Sequence, residues 1–366
     1  MLPNRGSKGL GGRTLLSLAV TVLTVVLCTG EQACAQFRSR SALGSYDPKV
    51  NPAGGALGAV GAAVAGGIGA AVSTAGTAAA FSSSQKLVVE DEDGFPVVRD
   101  NQGALYTEPA WSLGEGKTSV GLGYTYLNFD RFDGKSLGSL FDGNLDSDFK
   151  LDAHVWVLSY GKGITEQLDV FVLVPLLSLE GSGGFYLAGE PFGNSVFDEA
   201  DTGLGDVVLR TKYEIMNDGD SAFSVGGDLV FPTGDEDLYL GGGGMGYRVR
   251  ALYGKKFDKF YPTAEIAYFW SGIRGDSRLI LDESDFNQFE YRLGIPYEVS
   301  ERATVALEWI GSKSDAFTQN DLGVSGRWDM GKFKEGLVID LGVRVPVDDD
   351  GLRTSFTPTV AVEYRF

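Results

Sequence analysis

Cysteine and histidine are nearly missing from this chain of 366 residues, which holds 2 Cys and 1 His. So few exclude a disulfide-dense scaffold and a Cys/His zinc site, and they argue against a Ser-His-Asp hydrolase. Past the N-terminus there is no run of 18 bulky apolar residues. That absence argues against a multi-helix membrane protein and leaves a transmembrane barrel open. Basic residues are also scarce, with 31 Lys and Arg against 49 Asp and Glu and a net charge of -18. Nucleic acid is therefore a poor partner, since binding it requires a clustered basic face. Glycine is what the chain has in excess: its 52 residues are about twice the ordinary share of ~7%. The length suits two domains or one large β-barrel of ~250 residues.

Residues 1–35 read as an export signal. Arg5, Lys8 and Arg13 form a basic start, Leu15 to Leu27 is apolar, and Ala33-Cys34-Ala35 offers a small-residue cleavage site before Gln36. Cleavage there removes both cysteines, three basic residues and Glu31, and takes the net charge from -18 to -20. A cysteine-free, acidic, exported chain fits a bacterial envelope protein, with the outer membrane as the expected location.

Residues 36–116 differ in composition and are expected to form a low-complexity periplasmic extension or linker. No residue between Lys49 and Lys86 is charged. Within Ala53 to Phe81, Leu57, Val60, Val64, Ile68 and Val72 recur at helical spacing. Eight glycines between Gly54 and Gly76 oppose a helix, each at a cost of ~1 kcal/mol relative to Ala. A flexible tether, a packed helix or plug, and a membrane span all fit this segment. Pro96 and Pro109 break the polar stretch that follows.

From Lys117 the pattern turns to period two. In Gly336 to Val347, Leu337, Ile339, Leu341, Val343 and Val345 alternate with Val338, Asp340, Gly342, Arg344 and Pro346, which puts one set on each face of a sheet. Twelve such segments start near Lys117, Phe149, Glu166, Gly203, Ser221, Gly246, Phe260, Phe286, Arg302, Asn320, Gly336 and Arg353. Short connections (Gly161 to Thr165, Asn217 to Asp220, Lys255 to Lys259, Val299 to Glu301, Gly331 to Glu335) alternate with longer ones such as Arg131 to Asp148 and Leu179 to Thr202. That alternation predicts an all-β transmembrane antiparallel barrel of about 12 strands over 117–366, with tight periplasmic turns and larger external loops. The chain ends on an alternating strand closed by Phe366, a pattern similar to the signal that outer-membrane barrels present to their insertion machinery.

One face of these strands is apolar or aromatic, as in Val120, Leu122, Tyr124 and Tyr126, or Ile266, Tyr268 and Trp270. Lipid is its expected partner, with Tyr and Trp at the interfaces. The other face is charged, and Arg or Lys against lipid costs roughly 2–4 kcal/mol at the midplane. Those charges are therefore assigned to a lumen. Asp152 and His154 are placed in that lumen-facing register too. The constriction candidates are Arg210, Arg248, Arg250 and Arg292 opposite Asp206, Asp228, Glu265 and Glu290, whose field would sort small-molecule solutes by charge. A lumen filled by cross-pairing of the same charges is the alternative.

Gly203-Leu204-Gly205-Asp206 opening a strand, Phe231-Pro232-Thr233-Gly234-Asp235 closing the next, and Ala110-Trp111-Ser112-Leu113-Gly114-Glu115-Gly116-Lys117 leading into the first resemble the meta-pathway phenol-degradation family of outer-membrane proteins. The resemblance runs from Gly103 to Phe366. It implies a barrel that moves hydrophobic or aromatic compounds across the outer membrane; the residues themselves point to no enzyme activity, cofactor or metal. Other motifs are weak. Gly241 to Gly246 matches G-x-G-x-x-G without a βαβ unit. Asp142, Asn144, Asp146 and Asp148 have calcium-loop spacing but lack its Gly and its bidentate Glu. His154 has no nucleophile that the sequence can place beside it.

Overall fold

A computed structural model describes residues 86–90, 96–100, 103–132, 135–136, 145–187, 190–191, 197–235, 240–271, 287–314, 318–331, 333–348 and 352–366. The export signal and the Ala/Gly segment lie outside the described residues. Lys86–Glu90 pairs antiparallel with Pro96–Asp100 in a short hairpin of its own.

Twelve strands then follow in order: β1 (Thr118–Phe132), β2 (Leu145–Gly163), β3 (Leu168–Leu187), β4 (Val207–Asn217), β5 (Ser221–Phe231) and β6 (Gly246–Lys255). β7 (Thr263–Trp270), β8 (Gln288–Ser300), β9 (Ala303–Lys313), β10 (Thr318–Asp329), β11 (Leu337–Pro346) and β12 (Thr357–Arg365) complete them. Each pairs antiparallel with its neighbours, and β12 pairs with β1, so that Val362 stands opposite Leu122 and Tyr364 opposite Val120. Thr118 and Phe366 exchange backbone hydrogen bonds of 2.8 and 2.9 Å at this seam. Closure matters because an open sheet edge in lipid would leave a row of backbone groups unsatisfied. Several expected starts, at Lys117, Ser221, Gly246, Arg302 and Gly336, fall within one residue of the observed ones.

The short turns are built from local polar chemistry. Thr165 Oγ1 accepts from the backbone N–H of Gln167 and Leu168 at 3.2 and 3.0 Å between β2 and β3. Asp218 does the same for Ser221 at 2.6 Å between β4 and β5. At the opposite end, the long connection expected over Leu179 to Thr202 is largely a hairpin: β3 runs on to Leu187, and Phe197–Leu204 pairs back on it.

The wall breaks where that returning piece meets β4. Leu204 pairs with Leu176, but the next partner of β3 is Val208 opposite Leu173. Pro175 sits inside this gap and has no N–H to give the ladder. Its carbonyl still accepts from Gly205 N at 2.9 Å. One extra residue is thereby inserted, and the period of two slips across Gly205-Asp206.

Around most of the barrel the faces divide as the alternation predicts. On β6, Tyr247, Val249 and Tyr253 are exposed, whereas Arg248, Arg250 and Leu252 are buried inside. Ile266, Tyr268 and Trp270, then Val305, Leu307 and Trp309, also stand exposed on the outer surface. Tyr268 and Trp270 meet edge to face at 4.7 Å near one rim. No described helix is long and apolar enough to cross a membrane. The chain crosses by its strands.

β2 departs from the expected facing. Its buried inner residues are Ala153, Val155, Val157 and Ser159. Asp152 and His154 are instead paired with Asn128 and Tyr126 of β1, on the outer face that also carries the exposed Leu122. The rule that assigns polar side chains to the lumen fails here because this part of the lumen is apolar. The outward polar residues lie toward the long-loop end, beside the ring cluster of Tyr124, Tyr126 and Trp156.

Candidate functional site

The interior is not an empty channel, because the chain ahead of β1 runs through it. Every residue from Gly103 to Gly114 is buried. These residues belong to the span expected to lie outside the barrel as a periplasmic extension, so the boundary at 116 is displaced inward. The segment forms no strand or helix, so the inner wall must satisfy its backbone. Leu105 N and Tyr106 N donate to Glu308 on β9 at 3.1 and 2.8 Å, and Thr107 Oγ1 adds a third bond at 3.0 Å. Ser112 N donates to Glu214 on β4 at 2.9 Å, and Leu113 N to both oxygens of Asp169 on β3 at 3.0 and 2.9 Å. Several inner carboxylates thus serve backbone donors of the plug.

Glycines make room for its large side chains. A Cβ on Gly254 would collide with the Trp111 ring, and one on Gly342 would meet Leu105 and Tyr106. Trp111 is buried with Ala110, Ala222 and Leu252. Tyr106 lies under the Arg344 guanidinium, 5.4 Å from its ring centroid, and burial pushes its phenol above the ordinary range. A short, aromatic, non-periodic stretch leading into the first strand was the signal for such a plug.

Seven of the eight constriction candidates form one buried network on neighbouring strands β4 to β8. Asp228 binds Arg210 at 2.8 Å, Arg248 at 3.0 Å and Arg250 at 3.4 Å. Arg248 reaches Glu290 at 2.8 Å, while Arg292 bridges Glu265 at 3.4 Å and Glu290 at 3.2 Å. Cations and carboxylates therefore interdigitate along one wall and do not face each other as separate arrays. Adjacent strands bring opposite charges closer than the lumen diameter does, and a buried charge is tolerated only when matched. Asp206 is the exception. It lies at the bulge, where it accepts from Gly234 N at 2.9 Å and Gly242 N at 2.8 Å and pins the β5–β6 connection. The slip at Pro175 breaks the parity that would have aligned it with Arg210.

The plug supplies a member that the strand pattern could not reveal. Glu108 pairs with Arg250, with Arg210 at 3.5 Å and with Lys212 at 3.4 Å. Across the ladder the chemistry changes. Phe171 of β3 stands directly opposite Arg210, and Leu173 opposite Val208. Phe171, Leu173, Leu177, Val155 and Val157 are all buried on the inner side. Leu240, from the connection held by Asp206, is buried as well, against Gly203 and Gly205. The lumen thus has a charged wall on β4 to β8, joined by Asp169 of β3, and an apolar stretch on β2 and on β3 beyond Asp169.

The weaker motifs gain nothing. Gly242 of the glycine run serves Asp206. Asp146 and Asp148 belong to β2, and the other two calcium-spaced residues lie outside the described ones. His154 Nδ1 meets Tyr124 Oη at 2.9 Å, and its ring stacks at 5.8 Å on Trp156. These are contacts of an outer-face aromatic cluster.

No curated protein matches the sequence. Among solved structures, an outer-membrane channel from Pseudomonas putida F1 matches at 17% identity and a TM-score of 0.49, covering 70% of this chain and 98% of that one. The Ralstonia pickettii toluene transporter TbuX matches at 12% identity and a TM-score of 0.41, covering 69% and 90%. The P. putida toluene transporter TodX matches at 10% identity and a TM-score of 0.37, covering 68% and 90%. The family model described as "Putative MetA-pathway of phenol degradation" matches residues 129–366, from the first strand to the C-terminus. With its closed barrel and lipid-facing belt, this is a bacterial outer-membrane protein. The chain belongs to the MetA-pathway of phenol degradation family.

Proposed function

We propose that the protein is an outer-membrane channel for the passive passage of small solutes with apolar or aromatic bodies. The observation that carries this reading is the two-sided lumen, in which the apolar inner wall of β2 and β3 faces away from lipid. A barrel that needed only structural filling could be filled by ion pairs, as β4 to β8 are. An inward strip of Phe171, Leu173, Leu177, Val155 and Val157 suits an apolar guest. On this reading the ion-paired constriction residues form a rigid, electrically matched wall against which the plug is seated. Outer-membrane lipid is the partner of the outer belt.

A non-conducting barrel is the second reading, favoured by the buried plug from Gly103 to Gly114. Reconstitution into liposomes and planar bilayers separates the two. Channel activity predicts measurable conductance and entry of small aromatic solutes, both rising in a variant lacking residues 103–114. No conductance and no solute entry in either protein would establish the structural barrel.

A further inference from the structure

The plug and the wall together suggest what chemistry the path accepts. Glu108 is fully buried, yet it belongs to no strand of the barrel. Its carboxylate is held by three cations of the wall: Arg250, Arg210 at 3.5 Å and Lys212 at 3.4 Å. We propose that these three side chains form a binding site for the carboxylate of a small acid with an apolar body, and that Glu108 occupies the site as an internal stand-in. The proposal rests on the channel reading above and names its substrate class.

Two further observations support it. The first is charge balance. In the linked ion pairs the strands contribute five cations, Arg210, Lys212, Arg248, Arg250 and Arg292, against Asp169, Asp228, Glu265 and Glu290. Among the described residues, the plug adds Glu108 to this cluster. If the plug withdraws to let a solute pass, Arg210, Lys212 and Arg250 each lose one carboxylate and keep another, Asp228 or Asp169, so that a matched buried cluster is weakened. An incoming carboxylate restores the balance, whereas a neutral or cationic solute does not. The second observation is position. Arg210 stands directly opposite Phe171, and the next inward pair up the ladder is Leu173 with Val208. These residues are buried while the plug is in place; once it withdraws, a ligand whose head replaces Glu108 has an apolar strip beside it for its body. Arg suits this role because its planar fork binds carboxylate through two donors.

The test uses the full chain purified in detergent, with benzoate as the acid and benzyl alcohol as its neutral analogue. Removing the internal competitor in E108Q is expected to tighten benzoate binding by about tenfold or more. Adding R250Q to E108Q should abolish that gain, and benzyl alcohol binding should be the same in all three proteins. A second measurement keeps Glu108 in place. In a T107C chain from which Cys28 and Cys34 have been removed, benzoate should speed maleimide labelling of the plug severalfold while benzyl alcohol does not. Equal benzoate affinity in the native chain and E108Q overturns the proposal, as does labelling that benzoate leaves unchanged. If E108Q does not fold, the labelling result decides. Benzoate-specific binding without solute entry into liposomes would overturn the channel reading and leave the site standing. Solute entry with no preference for benzoate would do the reverse.

Discussion

Glu308 shows how a single inner carboxylate can serve backbone instead of solute. It accepts from Leu105 N, Tyr106 N, Thr107 Oγ1 and, at 2.8 Å, from Ser325 Oγ. E308A leaves those buried donors unmatched, at about 1–3 kcal/mol for each one that finds no water. Its expected phenotype is a loosened plug, read as higher single-channel conductance and faster protease cleavage near Tyr106. Asp228 has a different role, since three arginines converge on it. Removing one partner of a buried pair costs about 3–5 kcal/mol. D228N should therefore lower the urea midpoint of the refolded barrel more than a change on the outer face, such as H154A. H154A itself should leave conductance unaltered, because His154 touches the outer aromatic cluster and not the lumen. The sequence put His154 and Asp152 inside by polarity, and nothing in one strand alone could contradict that. Only the pairing with β1 shows which face they share.

At the scale of elements, two features of the barrel have identifiable local causes. The plug docks because its side chains enter spaces that only glycine leaves open. G254V places branched carbons where the Trp111 ring lies. It should expel that ring and raise conductance while strand content by circular dichroism stays the same. The break in the wall follows from Pro175, which cannot donate to the ladder, and from the extra residue across it at Gly205-Asp206. Twelve alternating segments were readable because lipid on one side and a filled lumen on the other impose period two. The bulge was not readable, since Gly203-Leu204-Gly205-Asp206 looks like an ordinary strand opening. The extension of β3 to Leu187 was hidden for a related reason: above the membrane, strand pairing no longer requires an apolar face.

For the whole molecule, the seam between β12 and β1 decides whether the sheet is closed. Phe366 exchanges both backbone hydrogen bonds with Thr118 and stacks on Tyr364 at 5.5 Å. Deleting Phe366 should reduce the amount of assembled barrel in the outer membrane, measured as the heat-modifiable form on gels, and should slow refolding into lipid. Recognition of this terminal strand by the insertion machinery would add to the loss in cells but not in purified lipid. Comparing the two settings therefore separates closure from recognition.

What the sequence determined by itself was the architecture: an even set of alternating strands, short turns at one end, and a lipid-facing belt of apolar and aromatic side chains. These follow from local rules, because the period, the turn residues and the cost of charge in lipid act within one strand or hairpin. The contents of the lumen were decided only in three dimensions. Glu108 meets Arg210, Lys212 and Arg250 across separations of about a hundred residues or more, and no spacing rule records such a meeting. The apolar inner wall was equally hidden, since an apolar residue carries no mark of whether lipid or lumen covers it. Ring closure assigns the inside, and with it the two-sided lumen on which the proposed function rests.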